Sequence, residues 1–391
     1  MISVSEAKQL IEQNILTTTS VEVMLAEAMN MALSNDIYSG IDVPPFDNSS
    51  MDGYAFAFNP KIQAYNIVQN IQAGDFSNHI LKCNEAARIL TGAPLPAGSD
   101  TVIQQELTSV NNGTVSFNIS QLQQGINVRL KGSQNKKGEI IAFAGEVVTP
   151  GMVGLLASVG VQKIFVHTPP SVGVIITGNE LQNIGDDLKA GHIYNSNEPI
   201  LTTYLRLLGI KEIECIHVKD KKSLLKDKVK LFLTKYDVLV STGGISVGDY
   251  DFVHEVLLSE DVKPLFYKVK QKPGKPLFVG KKNSKWIFAL PGNPASVLAC
   301  FNQYVKPCLL GMMGYKNTFA PDAVMPVANK FQKDNKLTHI LKAKRDFKSV
   351  QILSGQDSFN LLPFNNANCF VVIDEAIEFL SAGTLVSVYN I

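Results

Sequence analysis

The period of the hydrophobic positions changes several times along the chain. Over residues 3–16, Val4, Ala7, Leu10, Ile11 and Ile15 recur at three- and four-residue steps, which predicts an amphipathic helix. Ser3 and Glu6 at its start have the spacing of a capping box. Ser20–Leu33 repeats the pattern with Val21, Met24, Leu25, Ala28 and Ala32, and predicts a second helix. From Tyr54 to about Leu130 the period shortens. Ala64–Gln69, Thr101–Leu107 and Thr114–Ile119 are β-like runs divided by glycine and proline turns, with Ala86–Leu90 read as the end of a short helix. Gly138–Val166 carries two strand signals around a short helix at Gly151–Gly160.

From Ser171 onward strand and helix alternate. Val172–Ile176, Glu212–Val218, Tyr236–Val240, Leu265–Val269 and Trp286–Leu290 read as strands. Ser196–Leu208 (capped by Ser196, stopped by Gly209), Ser223–Leu233, Val253–Leu258 and the stretch from Pro294 through Leu310 read as helices. This alternation predicts a doubly wound, mostly parallel sheet with helices on both faces, which takes ligands at the carboxyl ends of its strands. After Gly314 the pattern becomes short strands, among them Leu337–Ala343, Cys369–Ile373 and Leu385–Tyr389. The fold class expected is therefore multidomain α/β plus β. It comprises a helical/β arm (1–40 and 139–168), an inserted β-rich domain (41–138), the doubly wound domain (169–316) and a C-terminal β domain (317–391).

At 391 residues, several domains are expected. The net charge of +1, with acids and bases interspersed, lacks the basic footprint of a nucleic-acid binder. Apolar runs fall far short of the ~20 residues of a membrane span. The first residues carry Glu6 and Glu12 and do not read as a signal peptide. Five scattered cysteines without a CxxC point to a reduced, cytoplasmic compartment and to no zinc site. The histidines are isolated from one another and are assigned no chemistry.

Three strand ends of the alternating region carry polar or glycine loops: Thr177-Gly178-Asn179-Glu180, Ser241–Asp251 and Pro291-Gly292-Asn293-Pro294. In the second, Gly243 and Gly244 permit positive φ and close approach to backbone. Ser246, Asp249 and Asp251 follow. The stretch reads equally as a tight strand–helix turn capped by Asp249 or as an anion cradle in which Mg²⁺ lies between the aspartates and a phosphate. In the third, Pro294 fits the first position of a helix that Asn293 would cap, leaving amides free for an anion. Lys272 and Lys275 in Lys-Pro-Gly-Lys-Pro add two cations suited to phosphate, or form a solvated turn. Glu180 is either a helix-start residue or, with Asp249 and Asp251, a Mg²⁺ ligand. Together these loops favour a phosphate-bearing ligand. Asp52 before Gly53, Thr91 before Gly92 and Asp220 in a lysine run each read alone as turn or surface residues.

Six segments in order resemble the molybdopterin molybdenumtransferases of the MoeA and gephyrin E-domain type. They are Pro44–Ala55, Ile89–Asp100, Thr177–Leu181, Ser241–Asp251, Lys272–Pro276 and Leu290–Ser296. The resemblance implies a four-domain, elongated homodimer whose active site joins the third domain of one subunit to the second domain of its mate. It implies insertion of molybdate, a co-substrate, into adenylylated molybdopterin, with Mg²⁺-assisted release of AMP. It makes Asp52, Glu180, Asp220 and Asp251 the acidic functional candidates and gives Thr91, Pro291 and Pro294 a role in shaping the pocket. Gly243, Gly244, Ser246, Lys272, Lys275, Gly292, Asn293 and a basic residue at Lys344 or Arg345 would hold substrate. Transient contact with other cofactor-synthesis proteins is implied as well. The chain departs from the family pattern at Asn135, where a carboxylate is expected, at Asn179, and at Ser358–Asn366, where a glycine- and serine-rich turn is usual. The Asn135 change leaves an alternative: a molybdopterin-binding scaffold with reduced turnover. An adenylyltransferase is the third reading, and the extra domains argue against it.

Overall fold

A computed structural model describes residues 1–245 and 252–391. By its internal contacts the chain divides into two compact units, one of residues 1–22 and 165–391, the other of residues 23–164.

The larger unit is built on a six-stranded sheet. Its strands are β1 (Val172–Thr177), β2 (Ile213–Val218), β3 (Val238–Thr242), β4 (Lys263–Tyr267), β5 (Phe278–Lys282) and β6 (Lys285–Leu290). The spatial order is β2-β1-β3-β6-β5-β4. The first four are mutually parallel; β5 runs antiparallel to β6, and the edge strand β4 antiparallel to β5. Side chains alternate between two cores, as the period of a strand requires. Val172, Val174, Ile176, Val238 and Val240 face one core together with Leu201 and Leu205 of the Asn197–Leu207 helix. Ile175, Leu239 and Ile287 face the other, with Val229 and Phe232 of the Lys222–Lys235 helix and Val256 of the Phe252–Ser259 helix. At Gly173 a Cβ would lie 2.4 Å from the Phe232 ring, so glycine is what lets that helix seat on β1. The chain leaves β1 toward β2 on one side and returns to β3 on the other. The crevice between β1 and β3 is thus the switch point where doubly wound sheets bind ligands.

The amino-terminal helix, Val4–Glu12, starts with the expected reciprocal capping box: the Glu6 amide donates to Ser3 Oγ at 3.1 Å and the Ser3 amide to Glu6 Oε2 at 2.7 Å. Val4, Ala7 and Ile11 bury on the first core. A second sheet in this unit runs Gln271–Lys272, Thr338–Arg345, Cys369–Ile373, Leu385–Asn390 and Ala323–Pro326, with Val350–Ile352 beside Thr338–Arg345. It is the C-terminal β domain. Its first strand comes from the Lys-Pro-Gly-Lys-Pro segment and pairs in parallel with Thr338–His339.

The smaller unit centres on a six-stranded mixed sheet in the order Thr101–Gln104, Gly53–Phe56, Glu85–Ile89, Ala64–Ile71, Thr114–Ser116, Ser109–Asn111. Two expectations fail. Glu85–Ile89 is an inner strand and not a helix end, with Ala86 and Ala87 fully buried on opposite faces. Small residues suit a strand covered on both sides, and their helix propensity yields to that packing. Ser20–Leu33 is not a helix either: Ser20–Met24 is a strand followed by a single 3₁₀ turn, Leu25–Glu27. Val21 and Val23 are half-buried while Ser20, Glu22 and Met24 are exposed, a period of two that the helical spacing masked.

Candidate functional site

The loops after β1, β3 and β6 meet around one cavity of about 580 Å³ at the switch point. Its lining includes Thr177, Gly178 and Glu180 from the first loop, Gly243 and Gly244 from the second, and Pro291 to Pro294 from the third. The two glycines adopt φ of +83° and +58°. A Cβ on Gly243 would come 2.6 Å from the Thr177 carbonyl oxygen, and one on Gly244 2.9 Å from Val253 Cγ2. Glycine is therefore demanded here by the fit of one strand-end loop on another, in addition to any ligand. The Gly292 site sits 3.7 Å from the Gly243 Cα on the same measure.

The acids are placed by local bonds. The Asn179 amide donates to Asp220 Oδ2 at 2.9 Å, and the Asp220 amide returns a bond to Asn179 Oδ1 at 3.1 Å. Asp220 is thereby drawn from the loop after β2 to the cavity edge, where Glu180 is exposed. His217 Nε2 donates to the Gly178 carbonyl at 2.7 Å and steadies the same turn. Ser246, Asp249 and Asp251 lie outside the described residues. Among those described, no group of three or more His, Cys, Asp or Glu could hold a metal. Glu180 and Asp220 border the glycine loops at the cavity.

Several side chains differ in placement from expectation. Ser196 precedes its helix but makes no side-chain cap; Asn195 Oδ1 accepts from the Glu198 amide at 3.3 Å in its stead. Asn293 does not cap either: its Nδ2 donates to Ser358 Oγ at 2.8 Å, and the Ala295 amide, expected to be free, donates to the Ser358 carbonyl at 3.0 Å. A loop of the C-terminal domain thus closes the start of this helix. Lys272 ion-pairs with Asp334 and, like the exposed Lys275 and the partly buried Arg345, does not line the cavity; Pro276 does. The Arg345 amide donates to Asn368 Oδ1 at 2.8 Å.

Composition and spacing gave no sign of four lining or positioning residues. Asn197, 6% exposed, donates from Nδ2 to the Gly292 carbonyl at 2.8 Å and locks the third loop to the helix after the first. Tyr194 and Phe359, both exposed, line the cavity. Lys342, 2% exposed, holds the loop that carries Phe359.

In the smaller unit, Asp52 and Thr91 form a pair. Asp52 Oδ1 accepts from both the Thr91 amide and the Thr91 hydroxyl, each at 2.7 Å. These bonds, the backbone one first, hold the Asp52 carboxyl below the usual aspartate range. An Asx turn is therefore not what Asp52 makes. Gly53 beside it is obligatory, because a Cβ there would collide with the Ile103 carbonyl at 1.8 Å. Asn135, 8% exposed, donates from Nδ2 to Ser39 Oγ at 2.8 Å. A carboxylate could not make that donation.

Three family models match the chain. Residues 2–160 match the MoeA N-terminal region (domain I and II), residues 173–311 a probable molybdopterin binding domain, and residues 324–391 the MoeA C-terminal region (domain IV). The molybdopterin molybdenumtransferase of Staphylococcus aureus is 31% identical over 398 positions, covering 99% of this chain and 95% of the relative. That of Staphylococcus epidermidis is 30% identical over 402 positions, with the same coverage. A crystal structure of the MoeA protein of Pyrococcus horikoshii, 30% identical, superposes with a TM-score of 0.82 over 100% of this chain and 99% of that one. The chain belongs to the molybdopterin molybdenumtransferase family.

Proposed function

We propose that the chain inserts molybdenum, delivered as molybdate, into adenylylated molybdopterin, with Mg²⁺-assisted release of AMP. The observation that carries this reading is the convergence of three strand-end loops on one cavity within the match to the probable molybdopterin binding domain. The cavity's volume lies in the range of small-molecule sites. The backbone of Gly243 and Gly244, with Ser246, would face phosphate, while Gly292 and Asn293 line the cavity between Pro291 and Pro294. Lys272, Lys275 and Arg345 would lend positive charge from further out. Glu180, with Asp249 and Asp251, would hold Mg²⁺. Bound there, the ion would neutralise charge on the phosphates at the bond to be cleaved. Asp220, fixed by Asn179, would orient the attacking water or the first loop.

The reading includes a homodimer, in which Asp52 and Thr91 of one subunit serve the cavity of its mate, a cytoplasmic setting, and passing contact with other proteins of cofactor synthesis. Among the described residues no helix is long and apolar enough to cross a membrane. The test combines purified protein with adenylylated molybdopterin, molybdate and Mg²⁺ and follows AMP. Molybdate-dependent AMP release is expected, slowed roughly 100-fold or more by Glu180→Gln or Asp52→Asn, the scale of losing one electrostatic contact in a transfer site. AMP release indifferent to molybdate, or unchanged in both variants, would reject it.

A further inference from the structure

The cavity's walls mix glycine, proline and short polar residues with Leu181, Ile193 and Ile245, and two exposed aromatic residues, Tyr194 and Phe359, line it as well. Phe359 is 70% exposed, and a lone exposed phenylalanine is ordinary on a protein surface. What sets this one apart is how firmly its backbone is held. Lys342 Nζ, buried inside the C-terminal domain, donates to the carbonyls of Gly355 at 2.7 Å, Asp357 at 3.1 Å and Asn360 at 2.9 Å. The Gln356 side chain bonds the Lys342 backbone at both its amide and its carbonyl, at 3.0 and 2.9 Å. On the other side, Ser358 is bonded through its hydroxyl to Asn293 and through its carbonyl to the Ala295 amide. The residue before Phe359 is thus tied to the cavity wall and the residue after it to a buried ammonium. A charge so desolvated is costly unless its donors are satisfied, and here the satisfaction comes from one loop.

The result is an aromatic side chain carried on an anchored backbone at the cavity. Resting on the function proposed above, we propose that Phe359 is a stacking platform for a flat bicyclic heterocycle of the substrate, the purine of its adenylyl group or its pterin. A ring whose backbone is already ordered adds no loop-ordering cost when a second ring lies on it, and aromatic faces accept any base-like ring without hydrogen-bond readout. The phosphates would then run from the glycine loops toward a ring that Phe359 holds.

The experiment uses the full chain and three probes: AMP, molybdopterin and the ring-free pyrophosphate, each with Mg²⁺, by calorimetric titration. Phe359→Ala is expected to weaken AMP or molybdopterin between about 5-fold and 100-fold, the span of single-ring stacking. It should leave pyrophosphate binding and the unfolding temperature unchanged. Whichever ring-bearing probe loses affinity identifies the ring that stacks. Phe359→Trp should retain affinity and add an indole beside the chain's single native tryptophan, the buried Trp286, with emission quenched by that probe. Wild-type affinity for both ring-bearing probes in Phe359→Ala would overturn the inference while leaving the proposed function standing, as would an equal loss for pyrophosphate. Failure of the wild type to bind either ring-bearing probe would overturn both.

Discussion

Lys342 is a charge placed where water does not reach, and its three carbonyl partners decide what it is worth. Burial lowers its pKa, opposed by Asp357. The folded protein therefore releases this proton at lower pH than the unfolded chain, so folding gains as pH rises between the two values. Lys342→Met removes the desolvation cost but strands three carbonyls. Since hydrogen bonds from charged donors contribute about 1.5–3 kcal/mol each, the loss should win by about 2 kcal/mol in denaturant unfolding. An unchanged midpoint would show that the loop holds itself. The Asp52–Thr91 pair gives the same pH slope from a favourable cause: a depressed carboxyl contributes stability above its ordinary pKa, which is lost as pH falls through the depressed value. Thr91→Val keeps the amide bond and deletes the hydroxyl bond, so the Asp52 carboxyl should titrate closer to the ordinary aspartate range, read by carbon-detected NMR. Neither pairing could be read from spacing. Thr91 is 39 residues from Asp52, and Lys342 lies 13 to 18 residues from its carbonyls.

At the scale of elements, legibility followed burial. Val172–Thr177 and Val238–Thr242 are buried at every position, and such strands are unbroken apolar runs that sequence exposes well. Ser20–Met24 is half-exposed and short, so a few apolar residues fitted a helical spacing by chance. The three strand-end loops were legible because their glycines and prolines mark turns. The contribution of the C-terminal domain was not, because Phe359 lines the cavity beside Ser358, which bonds Asn293 from 65 residues further along the chain. Two substitutions probe what the turns require. Gly243→Ala meets a positive φ and the Thr177 carbonyl at once, and should cost about 1–3 kcal/mol of stability. It should weaken pyrophosphate binding as well, because the β3 loop must move off the β1 loop. Ser3→Ala removes one half of the capping box and should cost about 1 kcal/mol with no effect on any ligand.

Across the whole molecule, the residues that line the cavity and those that pair Asp52 with Thr91 belong to different compact units. The described cores respect that division. One set joins the parallel sheet, its helices and the C-terminal β domain; another joins the inserted sheet through Phe56, Tyr65, Val102 and Ile103. A chain whose cores are separate has no reason to unfold in one step. Scanning calorimetry of the full chain should therefore resolve two transitions. Ser3→Ala lies in the larger unit and should lower one of them alone. Ile103→Val removes a methyl group from a side chain only 2% exposed in the smaller unit, which costs about 1 kcal/mol, and should lower the other alone. Because Asp52 and Thr91 sit in the unit that Ile103 supports, the second variant also separates stability from chemistry. Below both transitions its AMP release should match the wild type, whereas a single merged transition moved equally by both substitutions would show that the two units fold as one.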